Sequence, residues 1–211
     1  NNILNYLEYN LRYSSWNSLI FYKPKFSSSF VSLHQDQNYW GTSKDKVLSV
    51  QVAISESSVE NGCLRLLKDS HKKDYNHVDY NNSDNMLARG QTVSLSKDEK
   101  NKMQDIILDQ GECCVFHGNI VHGSLPNNSK NPRFLFTIRY LTPDVKIDKN
   151  LYYNYATLVS GKDDINFFQQ EKTLKEAQLP ELREDHSSII LTQFKRYLQL
   201  KIKSKFLTEF F

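Results

Sequence analysis

The chain has 211 residues, 39% of them hydrophobic and 24% charged, which is the balance of a globular domain that buries its own core. The net charge of +3 is too small to favour nucleic acid or an anionic membrane surface as a partner. No apolar run approaches the roughly 20 residues of a membrane span, and the first residues lack a signal-peptide pattern.

The first clear element is an alternating strand over residues 47–55. Its apolar side chains share one face, and its small or polar side chains, including Gln51, share the other. Strands of this kind fit a barrel or sandwich with a wet cavity, and the parity directs Gln51 into that cavity. Asn61-Gly62 then predicts a β-hairpin between two strand-like runs.

A short helix and two more strands are predicted downstream. The run Ser96-Lys97-Asp98-Glu99 matches a capping box and predicts a helix that ends near Gln104. Asp109-Gln110-Gly111 predicts a turn into a strand at 112–117. Residues 133–140 alternate in the same way as the first strand. Short alternating strands with few long helical patterns predict an antiparallel β jelly roll.

The C-terminal part of the chain has a different hydrophobic pattern. Residues 164–177 and 187–208 have helix-like spacing, and we expect two helices that pack on the outside of the barrel. The predicted fold class is therefore mainly β, a double-stranded β-helix (jelly roll, cupin-like) with flanking and C-terminal α-helices. We expect one domain over residues 1–211, with a core at about 17–143 and a helical extension at about 160–211.

The cysteines indicate the redox compartment. Cys63, Cys113 and Cys114 are an odd number, which does not suit a disulfide framework. Cys113 and Cys114 are neighbours in a predicted strand and point to opposite faces, so they are poorly placed to bridge each other. We expect three reduced cysteines in a cytoplasmic protein.

A possible metal-binding pattern begins at His34-Gln35-Asp36. In a strand or at a strand end, positions i and i+2 point the same way, so His34 and Asp36 can bind one ion. His122 supplies a second imidazole from another strand. One carboxylate and two imidazoles form the facial triad of a non-haem Fe(II) oxygenase, which leaves positions for a co-substrate and O₂. Arg133 suits the distal carboxylate of 2-oxoglutarate, because a guanidinium binds a carboxylate bidentately.

Other histidines are alternatives to these ligands. His117 is the main alternative, because it lies in the same run as His122. The two histidines are five residues apart, so in a regular strand they would face opposite sides. We favour His122 because Ser124 and Arg133 follow it at suitable offsets. His71 is predicted to stabilise a turn and not to bind metal.

A resemblance to a known family rests on a series of short sequence motifs, in the same order as in that family, from about Ile20 to Pro143. The chain resembles the phytanoyl-CoA dioxygenase family of Fe(II)/2-oxoglutarate oxygenases. The resemblance is carried by Phe21-Tyr22-Lys23-Pro24, His34-Gln35-Asp36-Gln37-Asn38-Tyr39-Trp40, Val50-Gln51-Val52-Ala53-Ile54-Ser55, Glu60-Asn61-Gly62-Cys63, Asp69-Ser70-His71-Lys72, His117, His122-Gly123-Ser124, Arg133 and Arg139-Tyr140.

The resemblance implies a site and a reaction. It implies iron on His34, Asp36 and His122, with 2-oxoglutarate held by Arg133 and helped by Ser124. It implies a dioxygenase that uses O₂ to hydroxylate an unactivated C–H bond of a small-molecule or carrier- or CoA-linked substrate, releasing succinate and CO₂. Halogenating relatives replace the carboxylate at position 36 with Ala or Gly to admit chloride, so Asp36 favours hydroxylation.

The chain departs from the family pattern in two places. Gln51 stands where relatives often carry a Trp beside the co-substrate, so it is a candidate contact for 2-oxoglutarate or substrate, or it satisfies a buried backbone group. Most of the family's N-terminal portion is expected to be missing. Lys23 also has two interpretations, as a contact for the co-substrate or as a solvated strand end.

Two other functions fit parts of the pattern. A non-catalytic jelly roll would use the histidines structurally and bind a sugar or peptide on its concave face. A cupin-type metalloenzyme would bind metal without 2-oxoglutarate and would have no need for Arg133. The oligomeric state and the substrate's identity are not predicted.

Overall fold

A computed structural model describes residues 13–43, 46–87, 90–148 and 155–170. The described part is mainly β, with short helices α1 (Gln37–Trp40) and α2 (Lys97–Asn101) and a 3-10 turn at Ser70–Lys72. The strands are β1 (Tyr13–Lys23), β2 (Val31–His34), β3 (Val47–Ala53), β4 (Leu64–Leu67), β5 (His77–Asp79), β6 (Gln91–Val93), β7 (Met103–Ile106), β8 (Cys113–His117), β9 (His122–Ser124), β10 (Arg133–Leu141), β11 (Tyr155–Ser160) and β12 (Gln169–Gln170).

The strands form two main sheets, as the predicted jelly roll requires. One has six strands in the order β12-β11-β1-β10-β3-β8, and the other has four in the order β2-β9-β4-β7. All pairings within them are antiparallel except that of β11 with β12. Side chains from both sheets line one cavity, which therefore lies between them. The predicted fold class, mainly β and cupin-like, is confirmed.

The polar faces of the two alternating strands point inward. On β3, Ser49 and Gln51 are buried while Ile54, just beyond the strand, is exposed. On β10, Arg133, Leu135 and Thr137 are buried, and Phe134 and Phe136, which alternate with them, are more exposed. A pleated strand sends alternate side chains to opposite faces, so the small and polar set lines the cavity and the apolar set faces outward. This confirms the predicted inward orientation of Gln51.

The predicted hairpin at Asn61-Gly62 is wrong, although the turn exists. Gly62 has φ +73°, and an added Cβ would lie 2.2 Å from the carbonyl oxygen of Leu125, so this position requires glycine. The turn connects β3 of the six-stranded sheet to β4 of the four-stranded sheet, and these strands do not pair. A local turn motif cannot tell a hairpin from a crossing between sheets.

The capping box at Ser96 forms as predicted. The Ser96 side chain accepts from the backbone N–H of Glu99, and the Glu99 carboxylate accepts from the backbone N–H of Ser96. The helix ends at Asn101, earlier than predicted, because β7 begins at Met103 and pairs with β4.

The predicted helix at 164–177 is wrong where the structure describes it. The Asp163 carboxylate accepts from the backbone N–H groups of Ile165 and Asn166, and Asn166 has φ +54°, so the chain turns instead of starting a helix. β12 then pairs with β11, so the six-stranded sheet extends beyond the predicted core. The rest of that segment and the predicted helix at 187–208 lie outside the described residues.

An apolar cluster at one end of the six-stranded sheet supports α1. The rings of Trp16 on β1 and Trp40 on α1 meet edge to face with centroids 5.7 Å apart. Val47, Leu141 and Val145 are buried in the same cluster. This packing fixes the helix that directly follows Asp36. Across the described ranges, no helix is long and apolar enough to cross a membrane.

Candidate active site

The pairing of β2 with β9 brings the two histidines of the predicted triad together. His34 and His122 are direct partners in the antiparallel register, and their ring centroids are 4.2 Å apart. Asp36 follows β2 with helical dihedral angles, φ −58° and ψ −38°, at the N-terminus of α1. His34 and Asp36 therefore converge through a bend at the strand end and not through the pleat of a continuous strand.

The donor atoms of the triad are oriented toward one point. Among the described residues, His34, Asp36 and His122 form the group whose potential ligand atoms all lie within 4.8 Å of one another. The Nδ1 of His34 lies 2.8 Å from the carbonyl oxygen of Ser32, and the Nδ1 of His122 lies 3.0 Å from that of Ile120. Since a carbonyl only accepts, each Nδ1 carries the proton and each Nε2 presents a lone pair.

The protonation states suit metal binding. Burial would raise the pKa of Asp36, but the Arg139 guanidinium, together with His34 and His122, holds that pKa well below its usual range. Burial lowers the pKa of His122 to about 4, and the neighbouring His34 adds to that effect. At neutral pH the site thus offers a carboxylate and a neutral imidazole without first losing a proton.

These residues fit the metal that the resemblance implies. Two imidazole nitrogens and one carboxylate oxygen on one side of an ion are the donor set of non-haem Fe(II) sites. The hydrogen bonds from Nδ1 to carbonyl oxygens fix ring orientation, as is usual for metal-binding histidines. Iron would be held by His34, Asp36 and His122.

Gln35 anchors the segment that carries the first two triad residues. Its side chain is fully buried, and its Nε2 donates to the carbonyl oxygens of Lys73 at 2.9 Å and Asn119 at 2.6 Å. Its Oε1 accepts from the backbone N–H of Tyr75 at 2.8 Å, and its own backbone N–H donates to Nε2 of His77 at 2.9 Å. These contacts hold the backbone between His34 and Asp36 rigidly. No sequence pattern singled out Gln35 for this role.

The competing histidines lie apart from the donor group. His117 is at the end of β8, opposite Leu48, and its ring centroid is 5.4 Å from that of His71. His71 lies in the 3-10 turn, in agreement with its predicted place. His77 accepts from the backbone of Gln35. The structure thus brings His122, and not His117, to His34 and Asp36.

A second cluster of polar side chains lies between the sheets at the ends of β1, β9 and β10. Arg133 is 2% exposed, donates to the carbonyl oxygen of Gly62, and lines the cavity with Ser124. Lys23 is fully buried, and its Nζ donates to Oγ of Ser124 at 2.8 Å and to the carbonyl oxygen of Leu125. Of the two interpretations of Lys23, the solvated strand end is wrong, because β1 carries it beneath the loop after β9.

Burial leaves these cations poorly compensated. It lowers the pKa of Lys23 to about 7, with Arg133 adding to the effect, and it lowers the pKa of Arg133 to about 10. Among the described residues, no carboxylate contacts either side chain. This cluster is suited to receive an anion.

Gln51 and Arg139 complete the polar wall. Gln51 on β3 lines the cavity, and its Oε1 is buried without a hydrogen-bond partner among the described residues. Arg139 on β10 places Nη2 3.3 Å from Oδ2 of Asp36 and Nη1 3.1 Å from Oδ1 of Asn17. The partnership of Arg139 with Asp36 was missed, although strand parity already put Arg139 on the inward face with Arg133.

Lys23 should make folding stability depend on pH in the absence of any cofactor. Its folded pKa of about 7 lies below its ordinary value, so between pH 7 and about 10.5 the unfolded chain binds a proton that the folded chain releases. Stability should therefore rise with pH across that range. Lys23→Met removes this dependence, and we expect it to raise the melting temperature more at pH 7 than at pH 9.5. An equal shift at both pH values would contradict the assignment.

Comparison with known proteins adds relatives of this chain. It is 29% identical over 135 residues to the phytanoyl-CoA dioxygenase domain-containing protein 1 homolog of Dictyostelium discoideum, covering 63% of this chain and 47% of the relative. It is 28% identical over 153 residues to a probable alpha-ketoglutarate-dependent hypophosphite dioxygenase of Stutzerimonas stutzeri, covering 71% and 53%. The chain spans about half the length of the curated relatives it matches.

A solved structure and a family match agree with these relatives. The apo form of the non-heme monooxygenase ThoJ superposes with a TM-score of 0.70 at 28% identity, over 89% of this chain and 68% of that one. Residues 2–135 match the family described as phytanoyl-CoA dioxygenase (PhyH), which is more than half of the sequence. The chain therefore belongs to the phytanoyl-CoA dioxygenase (PhyH) family.

Proposed function

We propose that this chain is an Fe(II)- and 2-oxoglutarate-dependent dioxygenase that hydroxylates an unactivated C–H bond of a small-molecule or carrier-linked substrate. The carrying observation is the convergence of His34, Asp36 and His122 in the cavity that Arg133 also lines. The relatives named for phytanoyl-CoA dioxygenase and hypophosphite dioxygenase support it. We propose that residues 1–211 act as a single oxygenase domain, with no nucleic acid as partner, in the cytoplasm.

Different residues of the cavity would bind the metal and the co-substrate. His34, Asp36 and His122 would hold iron, and Arg133 would pair with the far carboxylate of 2-oxoglutarate, with Ser124, Lys23 and Gln51 as further contacts. When bound, iron, 2-oxoglutarate and O₂ together supply the oxidising power, with succinate and CO₂ as by-products.

The protein's own contribution is orientation and exclusion of water. The Nδ1 hydrogen bonds of His34 and His122 orient both rings so that each Nε2 points toward the common point of the triad. Apolar side chains cover the other walls of the cavity and keep bulk water from the reacting centre. They are Phe21, Val31, Leu64, Met86, Leu87, Phe116 and Leu135.

Succinate release tests the proposal. Purified protein supplied with Fe(II), 2-oxoglutarate, ascorbate and O₂ should bind one iron per chain and release succinate, and a panel of candidate substrates should stimulate the release. Metal binding without succinate would favour a cupin-type metalloenzyme. Neither metal nor succinate would favour a non-catalytic binding protein.

The product should be hydroxylated and never halogenated. Asp36 would give iron an oxygen ligand at the position where halogenating relatives admit a halide. Mass spectrometry of reactions run with bromide should therefore show only an added oxygen atom, and a brominated product from the unmodified enzyme would overturn this part of the proposal.

A further inference from the structure

The walls of the cavity carry more positive than negative charge. Among the described residues that line it, Arg133 and Arg139 are cations and Asp36 is the carboxylate. Lys23 adds a partial positive charge next to Ser124, which also lines the cavity. Buried charges of one sign need a counter-ion, because the protein interior solvates them poorly.

The proposed iron and 2-oxoglutarate do not remove this excess. The two charges of Fe(II) and the two of the 2-oxoglutarate dianion cancel each other. Asp36 then offsets one of the two arginine charges, and Lys23 adds to the positive charge that remains in the site as a whole. The loaded site is thus expected to keep at least one positive charge for another ligand.

Arg139 is the cation best placed to bind that ligand. Arg133 would be used by 2-oxoglutarate, whereas Arg139 lies beside the triad, with Nη2 3.3 Å from Asp36. Arg139 lines the cavity and has five N–H donors, of which the contacts with Asp36 and Asn17 use two. Its remaining N–H groups can therefore donate charge-assisted hydrogen bonds to an oxyanion in the cavity.

We propose that the substrate is a small organic acid whose anionic group binds Arg139, so that a carbon a few bonds away faces the iron. The inference rests on the proposed function and names its substrate class. The cavity has a volume of about 170 Å³, which the substrate would share with iron and 2-oxoglutarate, so only a small molecule fits. Met86, Leu87 and Phe116 give it an apolar wall for a short carbon chain.

Calorimetry with matched acids and amides tests this inference. The protein is first loaded anaerobically with Fe(II) and saturated with 2-oxoglutarate, whose binding heat checks the proposed function separately. Propionate and methylphosphonate are then compared with neutral propionamide. At least one acid should bind about tenfold or more tightly than the amide, because Arg139 pairs with an oxyanion and not with an amide. The preferred acid distinguishes a carboxylate from a phosphorus oxyanion.

Variants locate the preference. Arg139→Met should abolish the discrimination between acid and amide, and Arg139→Lys should retain part of it. Arg65→Met is the matched control, because it removes the same charge from an exposed pair with Asp105 and should leave the discrimination unchanged.

Three results would overturn the inference while leaving the proposed function intact. They are 2-oxoglutarate binding with no binding of either acid, equal binding of acid and amide, and a preference that persists in Arg139→Met. The comparison in the unmodified protein decides the question even if Arg139→Met fails to fold.

Discussion

His34→Ala and His122→Ala should each lose stoichiometric Fe(II) and all measurable succinate release. Each change removes one of the three donors that lie within 4.8 Å of one another and leaves two. Even residues that only support metal ligands typically matter about 10- to 100-fold, so loss of a ligand should exceed that range. Equilibrium dialysis with iron analysis measures the metal, and coupled succinate detection measures turnover.

Asp36 needs a more conservative change than alanine. Its Oδ2 pairs with Arg139, and removing one partner of a buried ion pair costs about 3–5 kcal/mol of stability. Asp36→Asn keeps the shape, so a loss of iron in a folded Asp36→Asn protein reports on the ligand role and not on misfolding. Thermal melting without metal confirms that each variant is folded.

His117→Ala is the matched control for the ligand assignment. It removes an imidazole from the same stretch of sequence but from a side chain that lies outside the donor group. It should keep its iron and most of its activity. If His117→Ala lost iron while His122→Ala retained it, the assignment would be wrong.

Local patterns predicted much of this molecule because they depend on neighbours in the chain. Alternation predicted the inward face of β3 and β10, and the capping box at Ser96 predicted the start of a helix. The interpretation of His122 also relied on sequence spacing. The register in which His34 faces His122 is a long-range pairing that no local pattern contains.

Two outcomes that the sequence did not decide, the hairpin at Asn61-Gly62 and the place of Lys23, share one cause. The turn at Asn61-Gly62 has the right residues for a hairpin, but tertiary packing sends its two strands to different sheets. For Lys23 the sequence left a co-substrate contact and a solvated strand end equally open, and the loop after β9, which covers its side chain, excludes the second. In both cases the deciding contact joins residues far apart in sequence, so propensity alone could not decide.

Arg133→Met should weaken 2-oxoglutarate binding while leaving iron in place. The unmodified side chain is buried beside Gly62 and, in the described part of the chain, meets no carboxylate, so a bound 2-oxoglutarate would supply its counter-ion. Losing one partner of a buried charged pair costs about 2–5 kcal/mol, or roughly 30- to several-thousand-fold in affinity. Methionine fills much of the volume, which limits the cavity left behind.

Stability separates this effect from general damage. Without cofactors, Arg133→Met should melt no lower than the unmodified protein, because it removes a buried charge that lacks a counter-ion. Addition of 2-oxoglutarate to the iron-loaded protein should raise the melting temperature of the unmodified chain and not that of the variant, since a ligand stabilises only the form that binds it. Arg133→Lys keeps the charge but loses the planar guanidinium, so its affinity for 2-oxoglutarate should fall between that of the unmodified protein and that of Arg133→Met. An unchanged dissociation constant for 2-oxoglutarate in a folded Arg133→Met protein would show that another group, such as the neighbouring Lys23, binds the far carboxylate.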